Sequence, residues 1–269
     1  MENKSQPKVI LITGASSGIG QACFEFLIKQ GHYVFGTSRK KSSDNQFIQM
    51  DITDPKSIEI GIQNIIKKHQ RIDVLINNAG ISLVGAIEDT SSEEARHIME
   101  TNFWGAYNTC QSVLPVMRKQ QSGFIINISS VLGLFAIPYQ GFYAASKFAL
   151  EGFTESLRME MKPFNIKSCL IEPGDFRTEI NENRIVTKKS KLKGPHKFNF
   201  DRVHSLIIDN ERKGGEVMKI AKLVAKLIHK KNPKVRYSIG KPLDILATKL
   251  KPILPQKIFE WMIMDHYNL

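Results

Sequence analysis

Tyr143 and Lys147 lie four residues apart in a segment with helical spacing, so one face of a helix would carry both side chains. An isolated phenol titrates near ~10 and is a poor base at neutral pH. Lowering that pKa by about 3 units takes about 4 kcal/mol, which Lys147 and a positively charged ligand ring could supply in a dry site. Such a phenol could protonate a carbonyl or deprotonate an alcohol. By itself, the spacing is more typical of a surface pair.

Ser130 follows the apolar run from Phe124 to Ile128, which has the character of a buried strand. In open parallel sheets, the carboxyl ends of the strands face the ligand crevice. A hydroxyl at this position can therefore orient and polarise the oxygen of a substrate.

The turn from Thr13 to Gly20 lies between a buried apolar run and a helix-period segment. Gly14 allows a sharp turn, Gly18 lets the backbone approach a pyrophosphate, and Gly20 permits close packing of helix on strand. The N–H groups at the start of the helix would bind the anion, and an ordinary tight turn is the alternative. The expected contacts are Gly14, Ser16, Ser17, Gly18, Ile19 and Gly20.

The run Thr37-Ser38-Arg39-Lys40-Lys41 ends the second predicted strand and carries no acid. An NAD site needs a carboxylate there for the ribose 2′-hydroxyl, whereas arginine pairs with a 2′-phosphate. Ser38 and Arg39 therefore favour NADP(H) over NAD(H), with a solvated basic turn as the alternative. Asp51, followed by Ile52, could bind the adenine amine or cap the next helix.

Apolar runs alternate with helix-period segments through most of the chain. Runs that are apolar on both faces predict a parallel sheet covered on both sides, with right-handed crossovers. We therefore expect one doubly wound α/β domain with a seven-stranded sheet. The predicted strands are 9–12, 33–37, 47–50, 74–76, 124–128, 166–171 and 235–239, and the predicted helices are 19–30, 55–68, 92–120, 141–161 and 216–230.

The character of the chain changes after Pro173-Gly174. Residues 175–215 are polar and irregular, which is typical of a lid, a binding segment or a disordered loop. The tail from Leu243 to Met264 is expected to form one or two short helices broken by Pro252 and Pro255. We divide the domain into a cofactor-binding and catalytic core (7–178), a substrate lid (179–215) and a C-terminal helix, strand and tail (216–269).

The glycine turn, the Asn77-Asn78-Ala79-Gly80 turn, Ser130 and the Tyr143/Lys147 pair occur in this order and in the expected elements. Their joint occurrence is far more specific than any one of them. From Val9 to about Thr178, the chain resembles the short-chain dehydrogenase/reductase family, which implies a Rossmann-type fold.

The resemblance assigns roles to further residues. The family's serine falls on Ser130 rather than Ser129, because Ser130 meets the spacing to the tyrosine. Its helix asparagine falls on Asn102, and its Pro-Gly-x-x-x-Thr turn falls on Pro173 to Thr178. The implied cofactor contacts beyond the glycine turn and the second strand are Asn78, Ala79, Gly80, Tyr143, Lys147, Pro173, Gly174, Phe176 and Thr178.

The chemistry implied by the resemblance is hydride transfer at the nicotinamide, coupled to proton transfer by Tyr143. Ser130 would hold the carbonyl, and Asn102, a water and Lys147 would connect Tyr143 to solvent. Lys147 would also bond the ribose hydroxyls of the nicotinamide. The resemblance further implies a homodimer or homotetramer.

The stretch from Leu132 to Phe142 is apolar and aromatic, and it should face the nicotinamide. If it lines the pocket, the substrate is hydrophobic, such as a steroid, a retinoid, a lipid-derived ketone or an aromatic carbonyl. Packing beneath the rim is the alternative. The expected substrate contacts are Ser130, Leu132, Tyr139 and Tyr143. The end of the second strand and the long C-terminal segment are similar to the 17β-hydroxysteroid/retinol dehydrogenase-like branch.

The composition, with 42% hydrophobic and 24% charged residues, is that of a globular protein and excludes collagen-like, disulfide-framework and disordered classes. Cys23, Cys110 and Cys169 are odd in number and have apolar neighbours, so we expect buried, reduced thiols. No signal region and no apolar run long enough to span a membrane are present, so we expect a cytoplasmic protein. No metal site is expected.

The formal charge of +12 allows attraction to anions, but nucleic-acid binding is disfavoured because no recognition module accompanies it. The basic run from Arg184 to Lys197 and the apolar tail could together touch a membrane, with a solvated lid as the alternative. The apolar residues of this tail are Leu254, Ile258, Phe259, Trp261, Met262 and Ile263.

Two alternatives to an NADP(H)-dependent oxidoreductase stay open. One is a non-catalytic NADP(H) sensor, although such a protein need not keep Ser130, Tyr143 and Lys147 together. The other is an NAD-dependent alcohol dehydrogenase.

Overall fold

The computed structural model describes residues 6–178 and 184–269 of the chain. Its strands are β1 (Val9–Ile12), β2 (Tyr33–Ser38), β3 (Phe47–Gln49), β4 (Val74–Asn77), β5 (Leu83–Val84), β6 (Gly123–Ile128), β7 (Ile166–Pro173), β8 (Ile185–Val186) and β9 (Arg236–Ile239). Its α-helices are α1 (Gly18–Lys29), α2 (Pro55–His69), α3 (Ser92–Met99), α4 (Gly105–Gln120), α5 (Gly141–Glu160), α6 (Lys197–Arg212), α7 (Met218–Leu227), α8 (Pro242–Leu250) and α9 (Gln256–His266).

The main sheet has seven strands in the order β3-β2-β1-β4-β6-β7-β9, and every neighbouring pair is parallel. The strand order reverses between β1 and β4, which is where ligands bind in doubly wound sheets. The predicted Rossmann-type α/β fold in a single domain is thereby confirmed.

The central strands are apolar on both faces because helices cover both. Ile10 and Ile12 of β1 belong to the core cluster that includes α1 and α7. Val9 and Leu11 belong to the cluster that includes α2 and α4. This alternation follows from the period of 2 in a strand. The predicted burial of Cys23, Cys110 and Cys169 is confirmed, and it raises the pKa of each thiol to about 12.

The helical segment predicted over 92–120 is continuous but not uniform. A capping box between Ser91 and Glu94 starts α3. A π-helical segment at Glu100–Trp104 then separates α3 from α4. The wider turn carries Asn102 inward, where it is 1% exposed.

The predicted irregular lid contains a helix, and this part of the sequence-based expectation is wrong. Within α6, Phe200, Val203 and Ile207 are buried at a spacing of three and four residues. They pack in a core cluster with Phe135 and Phe259. Two further short strands, β5 and β8, pair in a separate parallel sheet. Residues 179–183 of the predicted lid lie outside the described residues.

The C-terminal expectations hold with small changes of boundary. Helix α7 covers the sheet, and β9 pairs with β7 at the edge. The tail forms α8 and α9, and Pro252 and Pro255 lie between them. Of the helices that the described residues form, none has both the length and the apolar character needed to cross a membrane.

The packing of α6 predicts different costs for two substitutions of the same type. Phe200 is 2% exposed and Phe198 is 71% exposed. Phe200→Ala should lower the free energy of unfolding by about 3–5 kcal/mol, because it leaves a cavity, whereas Phe198→Ala should change it by less than about 0.5 kcal/mol. Urea denaturation followed by circular dichroism measures both. Equal effects would contradict the packing of this helix.

Candidate active site

The carboxyl ends of β1, β2, β4, β6 and β7 open into one cleft of about 1000 Å³. The cleft runs from the glycine turn after β1, past Tyr143, to α8 and α9. Of the predicted cofactor contacts, all but Gly20 line it: Gly14, Ser16, Ser17, Gly18, Ile19, Ser38, Arg39, Asp51, Ile52, Asn78, Ala79, Gly80, Tyr143, Lys147, Pro173, Gly174, Phe176 and Thr178.

The glycine turn brings bare backbone to one end of the cleft. Gly14 has φ +64° and Gly18 has φ +55°, a region that side chains disfavour. Gly20 lies behind the wall, where an added Cβ would stand 2.2 Å from the Gly14 carbonyl oxygen and 2.4 Å from Asn78 Nδ2. Ser17 is the N-cap of α1, and its side chain makes no capping hydrogen bond to the described residues. The first N–H groups of the helix can therefore bind an anion.

The wall beside β2 is basic. Ser38, Arg39 and Lys40 line it, and no carboxylate ends this strand. Asp51 also lines the cleft, and its Oδ1 accepts from the N–H and the hydroxyl of Thr53 at 2.9 and 2.8 Å. The cap of α2 is Asp54 rather than Asp51. These residues fit a dinucleotide with a phosphorylated ribose.

Tyr143 lies in the first turn of α5 and is half-buried in the cleft wall. Loss of contact with water raises its pKa to about 12. Ser130, hydrogen-bonded to the phenol, and Arg184 act in the opposite direction, while Glu211 adds to the rise. The phenol is therefore protonated at neutral pH.

Lys147 lies one turn further along α5 and is 5% exposed. Its Nζ donates to the Ile128 carbonyl at 3.0 Å and lies 5.8 Å from the centroid of the Tyr143 ring. Burial lowers the pKa of Lys147 to about 8, against the opposing effect of Glu151. The sequence-based expectation joined Lys147 with a positively charged nicotinamide ring; in the ligand-free cleft, burial dominates and raises the pKa of Tyr143.

Asn102 joins the π-helical segment to the site. Its Oδ1 accepts from the Ile81 N–H at 2.8 Å, and its Nδ2 donates to the Ile81 carbonyl and to Ser146 Oγ, both at 3.0 Å. A Cβ placed on Gly80 would stand 3.2 Å from Asn102 Oδ1 and 3.7 Å from Lys147 Nζ. Asn102 and Lys147 therefore border the same small space.

Ser130 begins a short helical turn after β6 and is 8% exposed. Its hydroxyl oxygen accepts from the Leu132 N–H at 3.1 Å, and the hydroxyl lies 3.4 Å from the Pro173 carbonyl. These contacts fix the hydroxyl beside Tyr143. The structure thus brings together all four predicted catalytic residues, Asn102, Ser130, Tyr143 and Lys147.

Helix α8 closes the cleft over the turn that follows β7. Asp244 Oδ2 accepts from the Asp175 N–H at 3.3 Å and from the Lys241 N–H at 3.0 Å. A Cβ on Gly174 would stand 2.2 Å from the same oxygen. A side chain at position 174 would clash with Asp244, so a glycine is required where α8 meets the turn after β7.

The part of the cleft beyond Tyr143 has an apolar wall and a polar end. The apolar wall includes residues from two distant regions of the chain: Leu132, Phe135, Ile137, Phe259, Met262 and Ile263. The polar residues are Ser82, Gln140, Asp175, Asn210, Glu211 and Asp244. Tyr139 is not among the described residues that line the cleft, and its ring packs on Phe200 at 5.7 Å, so its substrate contact stays a prediction.

Two parts of the proposed membrane surface turn out to be internal. The Arg184 side chain is 2% exposed and forms an ion pair with Glu211. Phe259 is 3% exposed, and Met262 and Ile263 line the cleft beside it. The residues predicted from the sequence to face a membrane therefore include some that are buried or that line the cleft.

The sequence predicted a substrate lid over 179–215, but α6, the lid residues that line the cleft and the contributions of α8 and α9 were missed. Asn210 and Glu211 reach the cleft from the end of α6. The apolar spacing of Phe200, Val203 and Ile207 was the available signal. Among the described residues, no group of three His, Cys, Asp or Glu side chains is placed to hold a metal ion.

Similar proteins cover the whole chain. The 3-ketodihydrosphingosine reductase of Bacteroides thetaiotaomicron is 43% identical over 267 residues, covering 98% of this chain and 99% of that protein. The uncharacterized oxidoreductase YusZ of Bacillus subtilis is 34% identical, covering 94% and 99%.

Solved structures agree with the fold. A short-chain dehydrogenase from Streptomyces avermitilis has a TM-score of 0.82 at 29% identity, covering 97% of this chain and 98% of that one. ElxO with NADP bound has a TM-score of 0.70 at 28% identity, covering 87% and 97%. The family model for short chain dehydrogenases matches residues 8–189. The chain therefore belongs to the short-chain dehydrogenase family, an oxidoreductase family whose fold and nicotinamide cleft it shares.

Proposed function

We propose that this protein reduces the carbonyl of a long-chain hydrophobic ketone with NADPH. The observation that carries the proposal is the Tyr143 phenol, protonated and beside Ser130, in the same cleft as the glycine turn. The similarity to a 3-ketodihydrosphingosine reductase supports the choice of substrate class, since that protein is named for a long-chain amino ketone.

The proton would come from Tyr143. The hydroxyls of Ser130 and Tyr143 hold the ketone oxygen, and bound NADPH supplies the hydride to the carbonyl carbon. Because the pKa of Tyr143 is raised to about 12, the phenol enters each turnover with its proton in place. Lys147, with a pKa of about 8, is the stronger acid and restores that proton through the space beside Asn102.

The choice of NADPH rests on the wall beside β2. Arg39 would pair with the 2′-phosphate of the adenine ribose, while Ser38 donates a hydrogen bond to it. The end of β2, which lies within the described residues, carries no carboxylate that could accept a hydrogen bond from a free 2′-hydroxyl.

The two parts of the substrate cavity suit an amphipathic ketone. Leu132, Phe135 and Phe259 offer an apolar path for an alkyl chain. Among the described residues, the carboxylates of Asp175, Glu211 and Asp244 outnumber Arg184 and Lys241, which pair with two of them. This excess of negative charge favours a cationic head group over an anionic one.

Tyr143→Phe tests the proton donor. We expect turnover of NADPH with 3-ketodihydrosphingosine to fall at least about 100-fold, because the proton donor is lost, while NADPH affinity is kept. Absorbance assays and NADPH fluorescence titration measure the two quantities. Tyr107→Phe, on the outer face of α4, is the control and should be fully active. An active Tyr143→Phe variant would contradict the assignment, and a wild type that binds NADPH but reduces no ketone would favour a sensor.

Arg39→Ala tests the cofactor preference. Loss of a charged pair with phosphate should weaken NADPH binding by about 10- to 100-fold and leave NADH binding unchanged. Lys41→Ala removes the same charge two residues away and should have little effect on either affinity, because Lys41 lies outside the described cleft wall. Equal losses in both variants would show a general effect of charge.

Helix α9 suggests how a lipid ketone could reach the cleft. Its inner face carries Met262 and Ile263, whereas Ile258, Trp261 and Met264 are 47%, 65% and 47% exposed. Lys249, Lys251 and Lys257 lie on the same two C-terminal helices or between them. An exposed apolar stripe with nearby lysines favours peripheral contact with an anionic bilayer.

Flotation with vesicles that contain phosphatidylglycerol tests this contact. Trp261→Ser should reduce the bound fraction several-fold, since a tryptophan at an interface anchors a helix to lipid. Trp104→Ser, which changes a tryptophan that is 43% exposed at the start of α4, should bind as the wild type does. Absence of wild-type binding, or equal binding by both variants, would contradict the contact.

A further inference from the structure

A buried group of charges lies behind Lys147, on the side away from the glycine turn. Glu151 follows Lys147 by one turn of α5 and is 4% exposed, and Glu172 at the end of β7 is fully buried. Arg236 of β9 lies between them, with its Nε 2.9 Å from Glu151 Oε2 and 3.2 Å from Glu172 Oε1. Two buried carboxyls therefore share one guanidinium.

The remaining partners do not supply a second positive charge. Arg236 Nη2 also pairs with Glu155 Oε1 at 2.8 Å, and Ser238 Oγ donates to Glu172 Oε2 at 2.5 Å. The Ser129 hydroxyl faces Glu151 from the end of β6, and both border Gly133, where an added Cβ would meet them at 2.8 and 3.0 Å. The acidic side chains thus outnumber Arg236, and Lys147 is the next cation along α5.

The charge of Glu151 changes near neutral pH. Burial and the neighbouring Glu172 raise the pKa of Glu151 to about 7, although Ser129 and Arg236 act in the opposite direction. Burial also raises the pKa of Glu172, and the hydrogen bond from Glu151 stabilises the charged form of that carboxyl. The two carboxyls therefore share a proton below neutrality.

We propose that Glu151 is a positioning residue that acts through Lys147, its carboxylate keeping the ammonium charged while proton sharing with Glu172 limits how readily that carboxylate forms. The inference rests on the proposed function of Lys147 in proton supply and cofactor binding. It accounts for the burial of an acid one turn beyond Lys147 on the buried face of α5.

The sign of the effect follows from the two titrations. Glu151 ionises as the pH rises through about 7, and its negative charge then raises the pKa of Lys147, which loses its proton above about 8. Removing the negative charge of Glu151 should therefore deprotonate Lys147 at lower pH. Removing the charge of Glu172 should lower the pKa of Glu151 and leave that of Lys147 nearly unchanged, because Glu151 is already ionised where Lys147 titrates.

The experiment is a pair of pH profiles for Glu151→Gln and Glu172→Gln. The alkaline limb of log kcat/KM should move down by about one pH unit in Glu151→Gln and stay close to its wild-type position in Glu172→Gln, given the usual effect of a neighbouring charge. Glu151→Asp keeps the charge and should keep the wild-type limb. Glu151→Met also removes the charge, and it replaces Glu151→Gln if that variant fails to fold.

Glu155→Gln is the matched control. Glu155 bonds the same arginine but is 49% exposed and lies two turns beyond Lys147. Removing the charge of Glu155 should leave the alkaline limb of the kcat/KM profile at its wild-type pH. A role confined to stability would lower the unfolding temperature of all these variants without moving the limb.

The pH dependence of NADPH affinity provides a second readout that needs no substrate. We expect the alkaline loss of affinity to move in the same directions as the activity limb. If no ketone is reduced but the affinity limb moves, the proposed function fails and the role of Glu151 stands. An unmoved limb in Glu151→Gln, or an equal downward shift in Glu172→Gln, would overturn the inference.

Discussion

The partial burial of Tyr143 and the nearly complete burial of Lys147 govern the candidate site. Tyr143 and Lys147 lie on the same face of α5, where burial raises the pKa of the phenol to about 12 and lowers that of the ammonium to about 8. Both shifts disfavour charge, as desolvation always does. Their result is an unequal pair, in which the phenol keeps its proton and the lysine gives one up more easily. This order suits protonation of a ketone oxygen, since Tyr143 is reprotonated by a stronger acid.

The fold places this pair next to a nucleotide cradle. Parallel strands end at one edge of the sheet, so the glycine turn after β1 and Ser130 after β6 open into the same cleft. The π-helical segment turns Asn102 inward, and its hydrogen bonds to Ile81 and Ser146 tie the loop after β4 to α5. The cavity is then completed by α6, α8 and α9, which bring the apolar wall and the carboxylates to the substrate end.

Much of the core could be read from sequence because its signals are local. Apolar runs located the seven strands of the sheet, and glycines at 14, 18 and 20 marked the turn that a nucleotide needs. Helix α6 escaped because lysines and polar residues precede it, although Phe200, Val203 and Ile207 carry its apolar spacing. The two-residue strands β5 and β8 are too short for any periodic pattern. The direction of the Tyr143 shift could not be foreseen, since it depends on burial and on Arg184 and Glu211, which folding brings to the phenol. The contact of Tyr139 with Phe200 of α6 could not be foreseen for a similar reason, because folding brings the two rings together.

The central claim, that burial keeps Tyr143 protonated, is tested most directly by an ultraviolet difference titration of the ligand-free protein. The phenolate absorbance of the wild type is compared with that of a protein lacking only this phenol, from neutral to strongly alkaline pH. We expect no Tyr143 phenolate at the ordinary tyrosine pKa of about 10, because the pKa of this residue is raised to about 12. A Tyr143 phenolate that forms near neutral pH would contradict the account.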